Sequence, residues 1–149
     1  MMLATIRPGD WNLPLFVHVG GAMLLVGALV VVVAAMGGAV RRGEGALELT
    51  RVAYRALLLG VLPGYVVMRA GAEWIVSNEG VGDASWVGVG YSTADGGLLL
   101  VIVAAVLAWR ATRRGIDAPG GPGRAVVVLG GVLLLAYVVA IWAMTTKPG

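Results

Sequence analysis

Cysteine is absent from the chain and histidine occurs once. Without thiols there is no disulfide, no zinc–thiolate or iron–sulfur centre and no cysteine nucleophile. No Ser-His-Asp arrangement, HExxH, P-loop or dinucleotide-binding glycine pattern is present either. Charge is also scarce. Only 13% of the 149 residues are Asp, Glu, Lys or Arg, where a soluble domain carries about 25%. The net charge of +3 does not point to nucleic acid, because most basic residues flank apolar runs, where membrane orientation signals sit.

Apolar residues fill the place of the missing charge: 59% of the chain is hydrophobic and the mean hydropathy is +0.90. A bilayer core about 30 Å thick needs roughly 20 apolar residues per helix. Segments of that length fall at about 13–39, 52–76, 93–112 and 124–144. They use most of the chain, so the expected fold is all-α: a four-helix transmembrane bundle forming a single domain over residues 1–149. The N-terminal MMLATIRPGDWNLP has one Arg, followed by Pro8, Gly9 and Asp10, and no small-residue cleavage pattern. The first helix is therefore expected to stay in the mature protein.

Each segment carries its own punctuation. Trp11 stands as an interfacial anchor and Pro14 suits a first helical turn. Residues 40–50 read as a short polar loop or a helical extension. Gly60 and Gly64 form a GxxxG pattern for close approach by a neighbour, and Pro63 is expected to kink the second helix. Residues 78–92 form the longest connection, with Trp86 and Tyr91 placed to lie along the membrane surface. Ser92 and Asp95 match a capping box at the start of the third helix. Gly/Pro-rich GIDAPGGPG separates the last two helices.

Arginine sets the expected orientation. Arg41, Arg42, Arg51, Arg55, Arg110, Arg113, Arg114 and Arg124 flank the first and third connections, whereas Arg7 and Lys147 hold the other side. The positive-inside rule then puts both termini outside, an N-out/C-out topology in a cell inner membrane. Tyr54, Arg55 and Trp109 become anchors at the cytoplasmic interface. The Ala/Gly/Val/Arg-rich composition suggests a GC-rich bacterial source.

The chain is organised around residues 51–77, which carry Arg69 and Glu73 one turn apart inside an apolar run. Ionisable side chains in a lipid-crossing helix are costly and mark a site with a partner to be named. Tyr65, Arg69 and Glu73 stand in one i, i+4 row. At 1.5 Å per residue, His18 lies about 7–8 Å below the outer surface, with Glu73 and Arg69 about 5 and 10 Å below it. Asp95, Tyr137, Trp142 and Thr145 fall in the same outer half. His18, Arg69, Glu73, Tyr65, Asp95 and Tyr137 are thus the candidate ligand-binding residues, and no metal set is assigned.

Each has a plainer reading. Arg69 and Glu73 can be a structural ion pair that locks the second helix, His18 a neutral imidazole bonded to Glu73 or to a backbone carbonyl, and Asp95 a cap. Asn78, Glu79 and Asp83 match no calcium loop. A haem would need His18 with Met68 or Met144, or His18 from two copies.

The string LPLFVHVGGAMLLVG, residues 13–27, resembles the first helix of small bacterial membrane proteins of the copper-resistance CopD-like kind, including uncharacterised four-helix relatives. The resemblance covers about a tenth of the chain. It implies a membrane bundle with His18 facing inward, and copper or haem chemistry. No second His and no Cys accompany it.

Three functions remain open. The first is an outer-leaflet pocket that binds a small ligand, lipid headgroup or cation, or relays protons through His18, Glu73 and Arg69. The second is a structural or assembly subunit, with GxxxG making homo-oligomer or membrane-complex contacts. The third is a haem- or quinone-linked redox protein. The lipid bilayer is the expected partner and nucleic acid is not; the patterns favour a binding or structural protein over an enzyme.

Overall fold

The structure, a computed structural model, describes residues 12–41, 44–79, 85–115 and 119–146. The positions of Arg7, Trp11, Arg42, Asp83, Lys147 and Pro148 lie outside these, as do the side chains of Glu79, Trp86, Met144 and Thr145. The helices are α1 (Asn12–Arg41), α2 (Ala46–Ala56), α3 (Leu62–Glu79), α4 (Ser85–Thr112) and α5 (Gly120–Thr146). A π-helical turn, Leu57–Val61, joins α2 to α3 without a break. The described residues therefore form four helical spans, each long and apolar enough to cross a membrane: Leu13–Arg41, Ala46–Asn78, Val87–Thr112 and Gly120–Ala143. The outward faces carry large apolar side chains such as Phe16, Met23, Leu59, Leu99 and Leu135. Faces this apolar suit lipid, and a soluble monomer would not expose them in water.

The bundle closes as a ring. α1 packs against α2–α3 on one side and α5 on the other, and α4 packs against α5 and α2. Buried positions recur at alternating three- and four-residue steps. On α4 they are Val87, Gly90, Ala94, Gly97, Val101, Ala104, Ala108 and Ala111. On α5 they are Gly123, Val126, Gly130, Leu133, Tyr137 and Ala140. A 3.5-residue period keeps one seam facing its neighbours in left-handed packing. Most of the seam residues on α4 are Gly or Ala, which lets backbones approach where no hydrophobic effect drives helices together in lipid.

The closest approach is between α1 and the second span, and glycine sets it. A Cβ on Gly21 would lie 2.2 Å from Met68 N, and one on Gly64 would lie 2.7 Å from Leu25 N. On Gly71 it would meet His18 N at 2.4 Å, and on Gly60 Ala28 Cβ at 2.5 Å. Gly60 and Gly64 are close-packing positions, as their spacing predicts, and their partner is α1 of the same chain. The reversal from α1 into α2 turns at Gly45, whose φ of +76° is a left-handed conformation that glycine adopts without Cβ strain.

The helix limits differ from the expected ones. The second span begins at Ala46, so residues 46–50 are a helical extension and not loop. It is amphipathic there: Thr50 is buried and bonds Ala46 O at 2.8 Å, while Arg51 pairs outward with Glu48 at 2.5 Å. The Pro63 effect takes the form of the π turn. Proline has no N–H and its ring crowds the carbonyl four residues back, so the preceding turn widens to i→i+5 bonding, seen as Leu62 N–H to Leu57 O. α5 starts at Gly120 rather than about 124, with Pro122 in a first turn that lacks N–H partners anyway. The largest correction is α4. It starts at Ser85, not 93, so Ser92 and Asp95 are mid-helix and form no capping box. Gly88 and Gly90 suggest a loop locally, but the buried period starts at Val87 and packing overrides propensity.

Candidate functional site

Arg69 is the hub of a polar cluster between α3 and α4. Its guanidinium pairs with Glu73 one turn on, and its Nε lies 3.5 Å from Asp95 Oδ1 across the groove. The same group stacks over the Tyr91 ring, 4.1 Å from the centroid. Tyr65, one turn before Arg69, donates its hydroxyl to Asp95 Oδ1 at 3.3 Å. The i, i+4 row on α3 therefore meets a second row on α4, Tyr91 and Asp95, also four residues apart. One cation faces two carboxylates. The Arg69 side chain is 26% exposed, against 58% for Glu73 and 61% for Asp95, so the carboxylates form the outer rim and the guanidinium bridges inward.

Behind the rim lies a cavity of about 120 Å³. All four spans line it. α1 gives His18, Ala22, Leu25 and Val26; α3 gives Arg69 and Ala72; α4 gives Tyr91 and Ala94; α5 gives Tyr137 and Ala140. The walls are mainly apolar. His18 Nδ1 is 2.9 Å from Met68 O. A carbonyl can only accept, so Nδ1 carries the proton of this bond. Gly71 makes this bond reachable, because the α1 backbone at His18 sits directly against it. The hydroxyls of Tyr91 and Tyr137 are buried and have no hydrogen-bond partner among the described residues.

The predicted residues thus fall into two neighbouring groups. Tyr65, Arg69, Glu73 and Asp95 meet in the cluster. His18, Arg69 and Tyr137 share the cavity, which Glu73 and Asp95 do not line. Of the two plain readings of His18, the backbone carbonyl is the bond that forms. Asp95 is an ion-pair and hydrogen-bond partner instead of a cap. Tyr91, expected on a surface loop, is a member that sequence reasoning missed. Its signal was the four-residue step to Asp95, which puts both on one helix face.

A haem does not fit this cavity. Cofactor pockets run to about 300–1,000 Å³, and His18 is the one imidazole among its walls. A copper ion finds no set of ligands there: no group of three or more His, Cys, Asp or Glu side chains that could hold a metal occurs among the described residues.

No known protein family matches the chain, and neither a curated protein nor a solved structure does.

Proposed function

We propose that this chain is a multi-pass protein of a bacterial inner membrane, with both termini outside, that binds a small lipid-soluble molecule in its outer-leaflet cavity. The carrying observation is the cavity itself, lined by every span and placed where α3 and α4 barely touch. Small-molecule sites are concave, mostly apolar and furnished with a few polar groups, features this one shares at a smaller volume of about 120 Å³. The orientation is supported by the exposure of Arg41, Arg51, Arg55, Arg110, Arg113, Arg114 and Arg124, all suited to headgroups at one end of the bundle.

A cation is a poorer fit, because Arg69 already occupies the two carboxylates and itself lines the cavity. A proton relay needs a link from His18 to a carboxylate, whereas His18 bonds Met68 O and neither Glu73 nor Asp95 lines its cavity. The assembly reading loses its main support, since Gly60 and Gly64 are covered by α1.

The test is heat unfolding of the purified chain in detergent with added toluene. Wild type is expected to melt higher with toluene. Ala94→Phe, which fills the cavity from α4, and Ala22→Leu, which fills it from α1, are expected not to respond. Equal stabilisation of the filled variants would show that the cavity is not the binding site.

A further inference from the structure

The arginine-bearing end of the bundle holds a second concave feature, which shares no residue with the cavity wall. Where α2 packs on α4, the inner faces are buried at Ala53, Leu57, Ala104 and Ala108. The outer faces leave a groove along the seam. Tyr54, Leu58 and Leu62 form one wall and Ile102, Val106 and Trp109 the other, with the small Ala105 adding little bulk. Each wall is a row on one helix face, at steps of three and four residues. Leu58, Ile102, Val106 and Trp109 are exposed, so whatever lies in the groove meets carbon.

Length and charge decide what fills it. At 1.5 Å per residue the wall rises about 12 Å from Tyr54 to Leu62 and about 10 Å from Ile102 to Trp109. Half of a hydrocarbon core is about 15 Å, so the groove matches a chain from one leaflet and not a spanning helix. Tyr54 and Trp109 stand at the arginine-bearing ends of the two walls, where amphipathic rings sit at headgroup level. One turn further on, each row ends in an arginine. Arg51 precedes Tyr54 by three residues and Leu58 by seven, and Arg113 follows Trp109 by four and Val106 by seven. Arg113 is held there: its backbone N–H donates to Trp109 O at 3.2 Å, and its guanidinium lies over the Trp109 ring, 5.0 Å from the centroid. It has no carboxylate partner among the described residues. Arg51 gives one of its five N–H donors to Glu48 and is still 48% exposed. Among the described residues this end sets seven exposed arginines against Glu44 and Glu48, a clear positive surplus.

We propose that this groove holds an acyl chain of an anionic phospholipid from the leaflet at this end, with the lipid phosphate between Arg51 and Arg113. Basic sites between transmembrane helices near one membrane face take acidic headgroups in this way. The apolar walls select for a chain. The two arginines select for a headgroup with net negative charge, since a choline group would bring a cation back to the same place. The failure of this site would leave the cavity untouched, and the reverse, because no residue is common to the two.

The experiment titrates the full chain in detergent with phosphatidylglycerol, with phosphatidylcholine of the same acyl chains, or with inorganic phosphate alone, and reads the melting temperature. The two lipids are matched in mole fraction in the micelle. Phosphatidylglycerol is expected to raise the melting temperature at a lower mole fraction than phosphatidylcholine, and phosphate alone to leave it unchanged. Arg51→Gln and Arg113→Gln are each expected to weaken phosphatidylglycerol binding about fivefold, which is about 1 kcal/mol for one basic residue at an anionic surface. Arg41→Gln and Arg124→Gln remove the same charge at the same end but outside the two rows, and are expected to keep wild-type affinity. Ala105→Phe puts a ring into the groove and is expected to weaken both lipids. The arginines are exposed, so the fold does not depend on them, and their variants decide the matter even where Ala105→Phe destabilises the chain. The proposal is overturned if the two lipids bind equally, if inorganic phosphate stabilises as much, or if the Arg51 and Arg113 variants keep full affinity. It is equally overturned if all four arginine variants lose alike, the mark of a diffuse surface field, or if a folded Ala105→Phe still binds phosphatidylglycerol fully. A dimer that Ala105→Phe breaks and phosphatidylglycerol does not would put a second copy in the groove instead of a lipid.

Discussion

The second span meets its neighbours differently in its two halves. At the α2 end it packs closely on α4, with Ala53, Leu57, Ala104 and Ala108 all fully or almost fully buried. At the α3 end it barely touches α4 except through Arg69, Tyr65 and their partners Asp95 and Tyr91. Small seam residues let the backbones close; bulky polar ones hold them apart and leave the cavity behind. The same pair of spans is thus a packed core at one end and a propped-open site at the other. α1 behaves in the opposite way. It approaches α3 most closely just where α3 leaves α4, because Gly21, Gly64 and Gly71 remove the side chains between them. Tight packing on one side of α3 fixes the wall from which Arg69 reaches across the other.

The largest expected effect comes from closing that approach. Gly21→Ala places a Cβ 2.2 Å from Met68 N, against backbone that cannot rotate away. Overpacking of this kind costs about 1–3 kcal/mol and sometimes more, and here it also pushes His18 from Met68 O. Gly20→Ala, one residue away, meets nothing within 4 Å and is the control. Unfolding of both variants by a denaturing detergent should show a large loss for the first and none for the second. Equal behaviour would mean that α1 and α3 do not pack in this register.

Next in size is the prop itself. Arg69→Leu leaves Glu73 and Asp95 without their cation and removes the stack on Tyr91. The rim carboxylates are more than half exposed, so the loss falls between that of a surface pair and a buried one, about 2 kcal/mol. Arg69→Lys should recover only part of it, since an ammonium cannot bridge both carboxylates in one planar fork. If the prop idea is right, Arg69→Leu also weakens toluene binding by letting α3 and α4 close. A destabilised variant with unchanged toluene affinity would separate the cluster from the cavity.

How much of this was legible in the sequence follows from which forces are local. The four spans were, because length and apolar composition decide membrane crossing residue by residue. The Arg69–Glu73 pair and the Tyr65 row were, because helical spacing alone brings them together. The close approach at Gly60 and Gly64 was legible, though not that α1 would fill it. The early start of α4 was missed because Gly88, Gly90 and Ser92 read as loop residues. Only the 3.5-residue seam continuing back to Val87 marks them as helix. The split of the candidate residues into a rim and a cavity was also out of reach. It depends on helix rotation, which the π turn before Pro63 sets for α3, and a one-residue change in bonding pattern there is not written in hydropathy.

The smallest effect expected is the most specific. The hydroxyl of Tyr137 lies over Gly97, and a Cβ there would come within 2.7 Å of it. The ring carbon Cζ would be 3.4 Å away and Leu133 Cδ2 3.5 Å, both ordinary contacts. The clash of Gly97→Ala is therefore with a single oxygen. Alone, Gly97→Ala should cost about 1 kcal/mol, the overpacking penalty less what alanine gains over glycine in a helix. Tyr137→Phe alone should be neutral or stabilising, because it removes an unpaired buried hydroxyl. In the double variant the clash is gone, so Gly97→Ala should cost nothing or stabilise. The two substitutions should then couple by about 1 kcal/mol in a double-mutant cycle read by thermal unfolding. Additive losses would put the hydroxyl somewhere other than over Gly97, and the α4–α5 contact would have to be redrawn with it.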